Sequence, residues 1–250
     1  MIDRMPKPNF WRPMTENDNA CLLPFRAGDW KIASMYVTHK THHGRWGTDP
    51  VFDPEEVKIT YTYHLPTKPA MDCLLSYKVL GDGTIEAHLH LDASDKVGEL
   101  PEFSVIFTID ADFDNLKWYG RGPEETYADK DHAKLGVYST KAADTVAKYL
   151  VPQESGNHTD VRWAEITDDL GRGLRIEGDA LSLNVSPWTP HEIDNAFHPN
   201  ELPPVLHTYV RVGLAQMGVG GDDTWGAMPH PEYRIDNSKP LDLTFTFRGI

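Results

Sequence analysis

Apolar and polar residues alternate with a period of two through four segments of this sequence. The alternating segments are residues 57–65, 85–92, 103–109 and 241–248. Because successive side chains of a strand point to opposite faces, each segment is predicted to be a strand with one face on a core and the other in water. Weaker runs predict further strands at 161–164, 174–176, 181–185 and 209–214.

Turns rich in glycine and aspartate separate these runs, at 81–83, 169–173 and 178–179. Helical signals are sparse. Pro123 predicts a short helix at its first position, and Thr189 before Pro190 predicts an N-cap leading into 193–197. The absence of strand–helix alternation excludes a barrel of alternating strands and helices and a doubly wound sheet. We therefore predict an all-β class, with one antiparallel sandwich domain over residues 1–250.

Composition excludes several partners. The chain has 250 residues, 40% hydrophobic, and a formal net charge of −14 with its lysines and arginines scattered. Without a basic stripe, neither nucleic acid nor an anionic membrane is an expected partner. We find no signal peptide and no apolar run of about 20 residues, the length needed to span a bilayer. Two cysteines are too few for a disulfide scaffold, which favours a reducing, cytoplasmic location.

No residues in this sequence are nominated for metal binding or catalysis. His88 and His90 share one face of a predicted strand and His42-His43 are adjacent, but a zinc site needs three or four converging ligands, so we interpret them as surface histidines. Glycosidases need two carboxylates flanking the scissile bond. With 38 Asp and Glu in the chain, abundance singles out no such pair, and Glu124-Glu125 would point apart.

Trp225 follows a glycine-rich segment, Gly218 to Gly221, that runs into Asp222-Asp223. The two aspartates would repel phosphate, so a tight loop is predicted. A tryptophan held by such a loop can serve as a platform for the apolar face of a sugar ring. The alternative is an ordinary core or turn tryptophan, and the residues alone favour that alternative.

Four segments together carry a family resemblance, in order along the chain. They read PNFWRPMTEND at 8–18, WYGRGPEETYADK at 118–130, YLVPQESG at 149–156 and MGVGGDDTW at 217–225. From about residue 6 to the end, the sequence resembles the C-terminal domain of the large β-galactosidases of glycoside hydrolase family two, which also occurs as a separate small subunit. The resemblance implies an antiparallel supersandwich of the galactose-mutarotase type and a strand at 149–156.

The resemblance also implies a function. In the family, the tryptophan matching Trp225 reaches into the active site of a catalytic barrel and packs against the sugar, and the loop matching residues 19–26 lies nearby. The family hydrolyses terminal β-galactosides with retention, using two Glu residues and magnesium, all on the barrel. The resemblance therefore implies no catalytic residue and no cofactor in this chain, a catalytic large subunit or domain as partner, and an oligomeric enzyme.

The sequence departs from the family in two respects. Glu16 stands where the family usually has Asp, and Ala20 where it often has Gly, so we expect a different shape for the loop that follows. The family's domain also begins several strands before the Phe-Trp-Arg segment, so we expect a neighbouring polypeptide to supply them or a sheet edge to be open. Two other functions stay open: an aldose 1-epimerase, and a carbohydrate-binding module without a catalytic partner.

Overall fold

A computed structural model describes residues 1–36, 38–43, 56–92, 94, 96–223 and 225–250. The described residues form twelve strands: β1 Ile2–Asn9, β2 Thr38–His43, β3 Glu56–Leu65, β4 Met71–Leu80, β5 Ile85–Leu91, β6 Glu102–Asp110, β7 Asn115–Gly122, β8 Lys134–Lys141, β9 Asn157–Thr167, β10 Gly173–Ser186, β11 His207–Gln216 and β12 Leu241–Gly249. Four short α-helices accompany them: α1 Glu16–Ala20, α2 Leu23–Arg26, α3 Gly28–Met35 and α4 Pro190–Asn195.

The strands pair antiparallel in one curled sheet, which confirms the all-β prediction. The hydrogen-bonded order is β1-β6-β11-β10-β12-β5-β4-β3-β2, while β9 joins β10 to β7 and β8 pairs with β7. β10 is the branch point, because it pairs with β9 along one side while its two halves pair with β12 and β11 along the other. Side chains buried inside the curl form the core, among them Trp11, Trp30, Trp118, Phe103, Phe107 and Phe245.

All four strongly alternating segments are strands, but one of them departs from the predicted pattern. β6 lies between β1 and β11. Its expected water face is buried, since Glu102 and Ser104 are both shielded from solvent. Asn9 donates to the Ser104 hydroxyl at 3.1 Å and Arg211 contacts the Glu102 carboxylate. Polar residues are stable there because neighbouring elements satisfy their hydrogen bonds.

Two of the three predicted turns are confirmed and the third is wrong. Gly83 and Gly171 adopt positive φ angles of 84° and 78° in the turns at 81–83 and 169–173. The chain does not reverse direction at 178–179, because β10 is one strand of 14 residues. Its register against β9 shifts between Glu177 and Leu181, and Ala180 has a φ of 52°. Gly178 and Asp179 therefore lie in an irregularity of the strand.

The helix predicted at Thr189 is confirmed, and the one predicted at Pro123 is wrong. Thr189 and Glu192 form a reciprocal capping box at the start of α4. After Pro123 the backbone bonds elsewhere: the Thr126 amide donates to the Asn157 carbonyl at 2.7 Å, so no helical turn closes. The segment 149–156 is not a strand, and β9 begins after it. No helix within the described part of the chain is long and apolar enough to cross a membrane.

Candidate functional site

Trp225 stands on the surface, in the connection between β11 and β12. Its side chain is 91% exposed, which excludes the interpretation as a core tryptophan. The part of this connection around Trp225 is described at residues 217–223 and 225–227, and Thr224 lies outside the described residues. We call this part the tryptophan connection. An exposed tryptophan gains nothing from burial in this chain, so its position depends on what anchors the connection.

Arg12 anchors the beginning of this connection from the interior. Its guanidinium is fully buried and donates to the carbonyl oxygens of Met217 and Gly218, at 2.7 and 3.0 Å. The same guanidinium donates to both carboxylate oxygens of Asp18, each at 3.1 Å. A buried charge is tolerated only when it is paired and hydrogen-bonded. Arg12 therefore holds the segment 217–218 at a fixed distance from α1.

Asp129 anchors the next two residues of the connection. The backbone amides of Val219 and Gly220 donate to its two carboxylate oxygens at 3.0 and 2.9 Å. Hydrogen bonds to an ionised acceptor are roughly twice as strong as neutral ones. The Asn17 side-chain amide adds a bond to the Val219 carbonyl at 3.2 Å. With the bonds from Arg12, four consecutive positions of the connection, Met217 to Gly220, are thus bound to side chains far away in sequence.

The residues on either side of Trp225 are hydrogen-bonded to one another. The Asp223 carboxylate accepts from the amides of Trp225 and Ala227 at 2.8 and 3.3 Å. Gly226 has a φ of 115°, which L side chains rarely adopt. A side chain at Gly221 would start 2.3 Å from the Ala227 carbonyl oxygen, so glycine is required for this close approach.

Three of the four sequence motifs therefore converge on one structure. Arg12 and Asn17 come from the segment 8–18, Asp129 from 118–130, and the amides and carbonyls that they bind from 217–225. Sequence reasoning identified Trp225 and these motifs, but it assigned no role to Arg12 or Asp129. Their presence inside the quoted motifs was the signal that pointed to them.

The fourth motif supplies a second buried anchor, Glu154. Arg211 donates to both of its carboxylate oxygens, at 2.8 and 2.7 Å. The amides of Asn184 and Gln216 donate to the same carboxylate at 3.2 and 3.3 Å, and the Tyr127 hydroxyl lies 3.5 Å from it. These bonds attach the segment 149–156 to the centre of the sheet.

Glu102 and Glu154 share the Arg211 guanidinium, whose Nη1 contacts Glu102 and whose Nη2 donates to Glu154. Burial raises the pKa of Glu102 to about 7, because the loss of hydration outweighs the attraction of Arg211, and the nearby Glu154 charge raises it further. Burial also raises the pKa of Glu154, against the opposing attraction of Arg211 and Arg12. Both carboxylates are fully enclosed, so they serve the scaffold and do not face a substrate.

Residues 19–26, expected as a loop, are mostly helical. α1 ends at Ala20 and α2 spans Leu23–Arg26, with Leu22 between them at a positive φ of 60°. The segment lies beside the tryptophan connection, since a Cβ placed on Gly226 would be 3.2 Å from the Ala20 carbonyl oxygen. Glu16 occupies the first turn of α1, and its amide donates to the Gln153 side chain at 3.2 Å.

Two of the surface histidines contact the same carboxylate. His88 and His90 both contact Asp242 Oδ1, at 2.8 and 2.9 Å. The side chains of His42 and His43 lie outside the described residues. Within the described ranges, no three His, Cys, Asp or Glu side chains converge in a way that could hold a metal ion.

We expect Asp129→Asn to loosen the tryptophan connection. An amide can accept from one backbone N–H but presents a donor to the other, so one charge-assisted bond is lost and the second is weakened. The free energy of unfolding should fall by about 1–2 kcal/mol, measured by urea denaturation, and the Val219 and Gly220 amides should exchange hydrogen faster. Asp131→Asn, an exposed neighbour, is the control. Equal protection of both amides in the two variants would contradict the anchoring role.

These features define an all-β fold that displays Trp225 on a buried ionic scaffold. The sequence model of the family described as "Beta galactosidase small chain" matches residues 1–248. The chain belongs to this family.

The relatives are mostly longer than this chain. A β-galactosidase of Priestia megaterium is 40% identical over 98% of this chain, and one of Bifidobacterium adolescentis is 38% identical over 96%. The chain spans 23% of the length of each. A β-galactosidase small subunit of Latilactobacillus sakei is 26% identical, covering 97% of this chain and 84% of the subunit. The chain thus spans about a quarter of the length of these two β-galactosidases, and most of the length of the small subunit.

Among solved structures, the chain is similar to a GalM/aldose epimerase homologue from C. elegans. The TM-score is 0.40 with 9% identity, covering 84% of this chain and 68% of that one. A galactose mutarotase-like protein from Lactobacillus casei matches with a TM-score of 0.35 and 11% identity, over 77% of this chain and 70% of that one.

Proposed function

We propose that this chain is the non-catalytic portion of a family-two β-galactosidase, and that it completes the sugar-binding pocket and supports assembly for hydrolysis of terminal β-D-galactosides such as lactose. The observation that carries the proposal is the exposure of Trp225 on a connection bound by Arg12 and Asp129, in a chain of the small-chain family.

Trp225 fits the role of a platform for a sugar ring. The C–H groups on one face of a galactose ring are apolar, and a tryptophan offers a large, rigid apolar surface against them. In the free chain this surface is open to water, so a partner or substrate gains by covering it. Because the connection is fixed at Met217, Gly218, Val219 and Gly220, little conformational entropy is lost when the indole binds.

The catalytic groups are assigned to the partner. Retaining glycosidases need two accessible carboxyl groups about 5–5.5 Å apart. The enclosed carboxylates Glu102 and Glu154 are both bound by Arg211, which leaves them unsuited to that task. We propose that the catalytic Glu pair and the magnesium ion belong to the catalytic large subunit or domain. We also propose a cytoplasmic location, consistent with two buried, unpaired cysteines, Cys21 and Cys73.

The deciding experiment is hydrolysis of a chromogenic β-galactoside by the purified chain, alone and mixed with the β-galactosidase catalytic polypeptide of the same organism. We expect activity only in the mixture. Activity of the chain alone would contradict the proposal. Mutarotation of α-galactose by the isolated chain would favour an aldose 1-epimerase, and galactoside binding with no effect of the second polypeptide would favour a carbohydrate-binding module.

A further inference from the structure

Two neighbouring cavities lie at the end of β11. Their volumes are 120 and 440 Å³, and Ala128, Leu214, Ala215 and Gln216 line both of them. We call the two cavities together the Gln216 cleft. Small-molecule sites in proteins commonly measure about 300–1,000 Å³, a range that includes the larger cavity. Trp225 lines neither cavity, so the cleft is separate from the platform proposed above.

Irregular backbone surrounds the smaller cavity. Asp160 of β9 and Ala180 of β10 both line it, and both have positive φ angles, of 54° and 52°. On the other side, β11 shifts its register against β6 between Gly213 and Ala215. A positive φ at a residue other than glycine costs roughly 1–3 kcal/mol and is concentrated at ligand sites, as β-bulges are next to active sites. The sheet is therefore locally reshaped around this cavity.

Gln216 supplies a buried acceptor that has no partner. Its side chain is 4% exposed, and its amide nitrogen donates to Asn157 Oδ1 at 3.1 Å and to Glu154 Oε1 at 3.3 Å. These two acceptors fix the orientation of the amide, because a flipped amide would place oxygen against oxygen. Within the described part of the chain, Gln216 Oε1 then receives no hydrogen bond. A buried polar atom without a partner costs about 1–3 kcal/mol, so a donor from a bound molecule would stabilise it.

The remaining polar groups of the cleft favour a neutral ligand with several hydroxyl groups. The buried Ser182 hydroxyl lines the smaller cavity and donates to Asn157 at 2.9 Å, which leaves its oxygen free to accept. The charge of Asp160 is compensated by Arg121 at 2.5 Å. The larger cavity is lined by two acidic and two basic side chains: Glu232, Asp236, Arg234 and Lys239. Balanced charges give no advantage to an anion or a cation, whereas free acceptors call for donors.

We propose that the Gln216 cleft binds a neutral monosaccharide in its pyranose form, as a second sugar site of this chain. A sugar hydroxyl donates to Gln216 Oε1, and the apolar C–H groups of the ring pack against Leu214, which is 40% exposed. Glu154 is fully enclosed, so the site binds the sugar without supplying that carboxylate to a reaction. The inference does not rest on the proposed function, because neither cavity is lined by residues 217–227.

The test is a titration of the isotope-labelled chain with D-galactose, followed by NMR. We expect saturating shifts of the Gln216 side-chain amide and of the Ser182 and Leu214 backbone amides. Ala128→Trp places an indole at an exposed position shared by both cavities, and it should raise Kd roughly tenfold or more by occupying the space of the sugar. Ala143→Trp, also exposed but outside both cavities, is the matched control and should bind as wild type.

The outcomes also distinguish the cleft from the tryptophan platform. An unchanged Kd in Ala128→Trp, or no shift at Gln216 up to about 100 mM galactose, would overturn the assignment. Loss of all shifts in Trp225→Ala would assign the binding to the platform instead. Cyclohexanol, a six-membered ring with one hydroxyl group, should not bind, and binding equal to that of galactose would refute the role of hydroxyl donors. Hydrolysis by the mixture with the catalytic polypeptide is measured separately, so this inference and the proposed function can each fail alone.

Discussion

Replacing Trp225 with alanine is expected to lower kcat/KM of the reconstituted enzyme for a β-galactoside by roughly tenfold or more, the loss that poor positioning produces. A platform contacts the sugar in both the ground state and the transition state, so most of the loss should appear as a higher KM. Steady-state kinetics with a saturating amount of the chain would measure both constants. Unchanged kinetics would exclude the platform role.

Three controls separate the platform role from a defect in folding or assembly. Because Trp225 is 91% exposed, Trp225→Ala should change the free energy of unfolding of the free chain by less than about 0.5 kcal/mol. Trp225→Phe keeps an aromatic face and should recover part of the activity. Binding of the alanine variant to the catalytic polypeptide should stay close to wild type.

Replacing Arg211 with methionine should have the largest effect on stability. Arg211 is buried between Glu102 and Glu154, and its removal leaves two enclosed carboxyl groups without their positive partner. Breaking a buried ion pair from one side costs about 3–5 kcal/mol. Urea denaturation at neutral pH should show this loss, and the triple variant Arg211→Met, Glu102→Gln, Glu154→Gln should recover much of it by removing the uncompensated charges.

The pH dependence of the same variant has a predictable sign. Burial already raises the pKa of both carboxyl groups in the folded wild-type chain, and removing Arg211 raises it further, so the folded state of the variant binds more protons than the unfolded state. Stability of Arg211→Met therefore increases as pH falls toward about 4.5. The difference in unfolding free energy from wild type should narrow as pH falls from the alkaline range toward the wild-type pKa of each carboxyl group, about 7 for Glu102. A difference that stays constant as pH falls from the alkaline range through neutrality would show that the loss comes from packing rather than charge.

The scaffold links these two predictions. Glu154 ties the segment 149–156 to the sheet, Arg12 and Asp129 tie the tryptophan connection to it, and α1 connects the two regions through Glu16 and Gln153. Buried polar contacts thus determine where exposed side chains such as Trp225 lie, because those side chains gain nothing from burial in this chain. Stability and activity should therefore respond separately to Arg211 and Trp225.

Local signals in the sequence predicted most of the secondary structure that they concern. The alternation in 57–65, 85–92, 103–109 and 241–248 identified four strands, because a strand's side chains alternate whatever it pairs with. The capping box at Thr189 identified α4 for an equally local reason, the bonds between Thr189 and Glu192. The motif segments also identified the family, which the match over residues 1–248 confirms.

Other features depended on contacts between residues far apart in the chain. Arg12 meets Met217 across 205 residues and Asp129 meets Val219 across 90. The Asn9 side chain reaches the buried Ser104 hydroxyl across 95 residues. Gly178-Asp179 suggested a turn, yet pairing with β9 and β12 on either side held β10 as one strand. The sequence by itself determined the strands, the all-β class and the family. Only the tertiary structure decided which motif residues meet and that Trp225 is exposed, because sheet topology brings them together and no local pattern encodes that pairing.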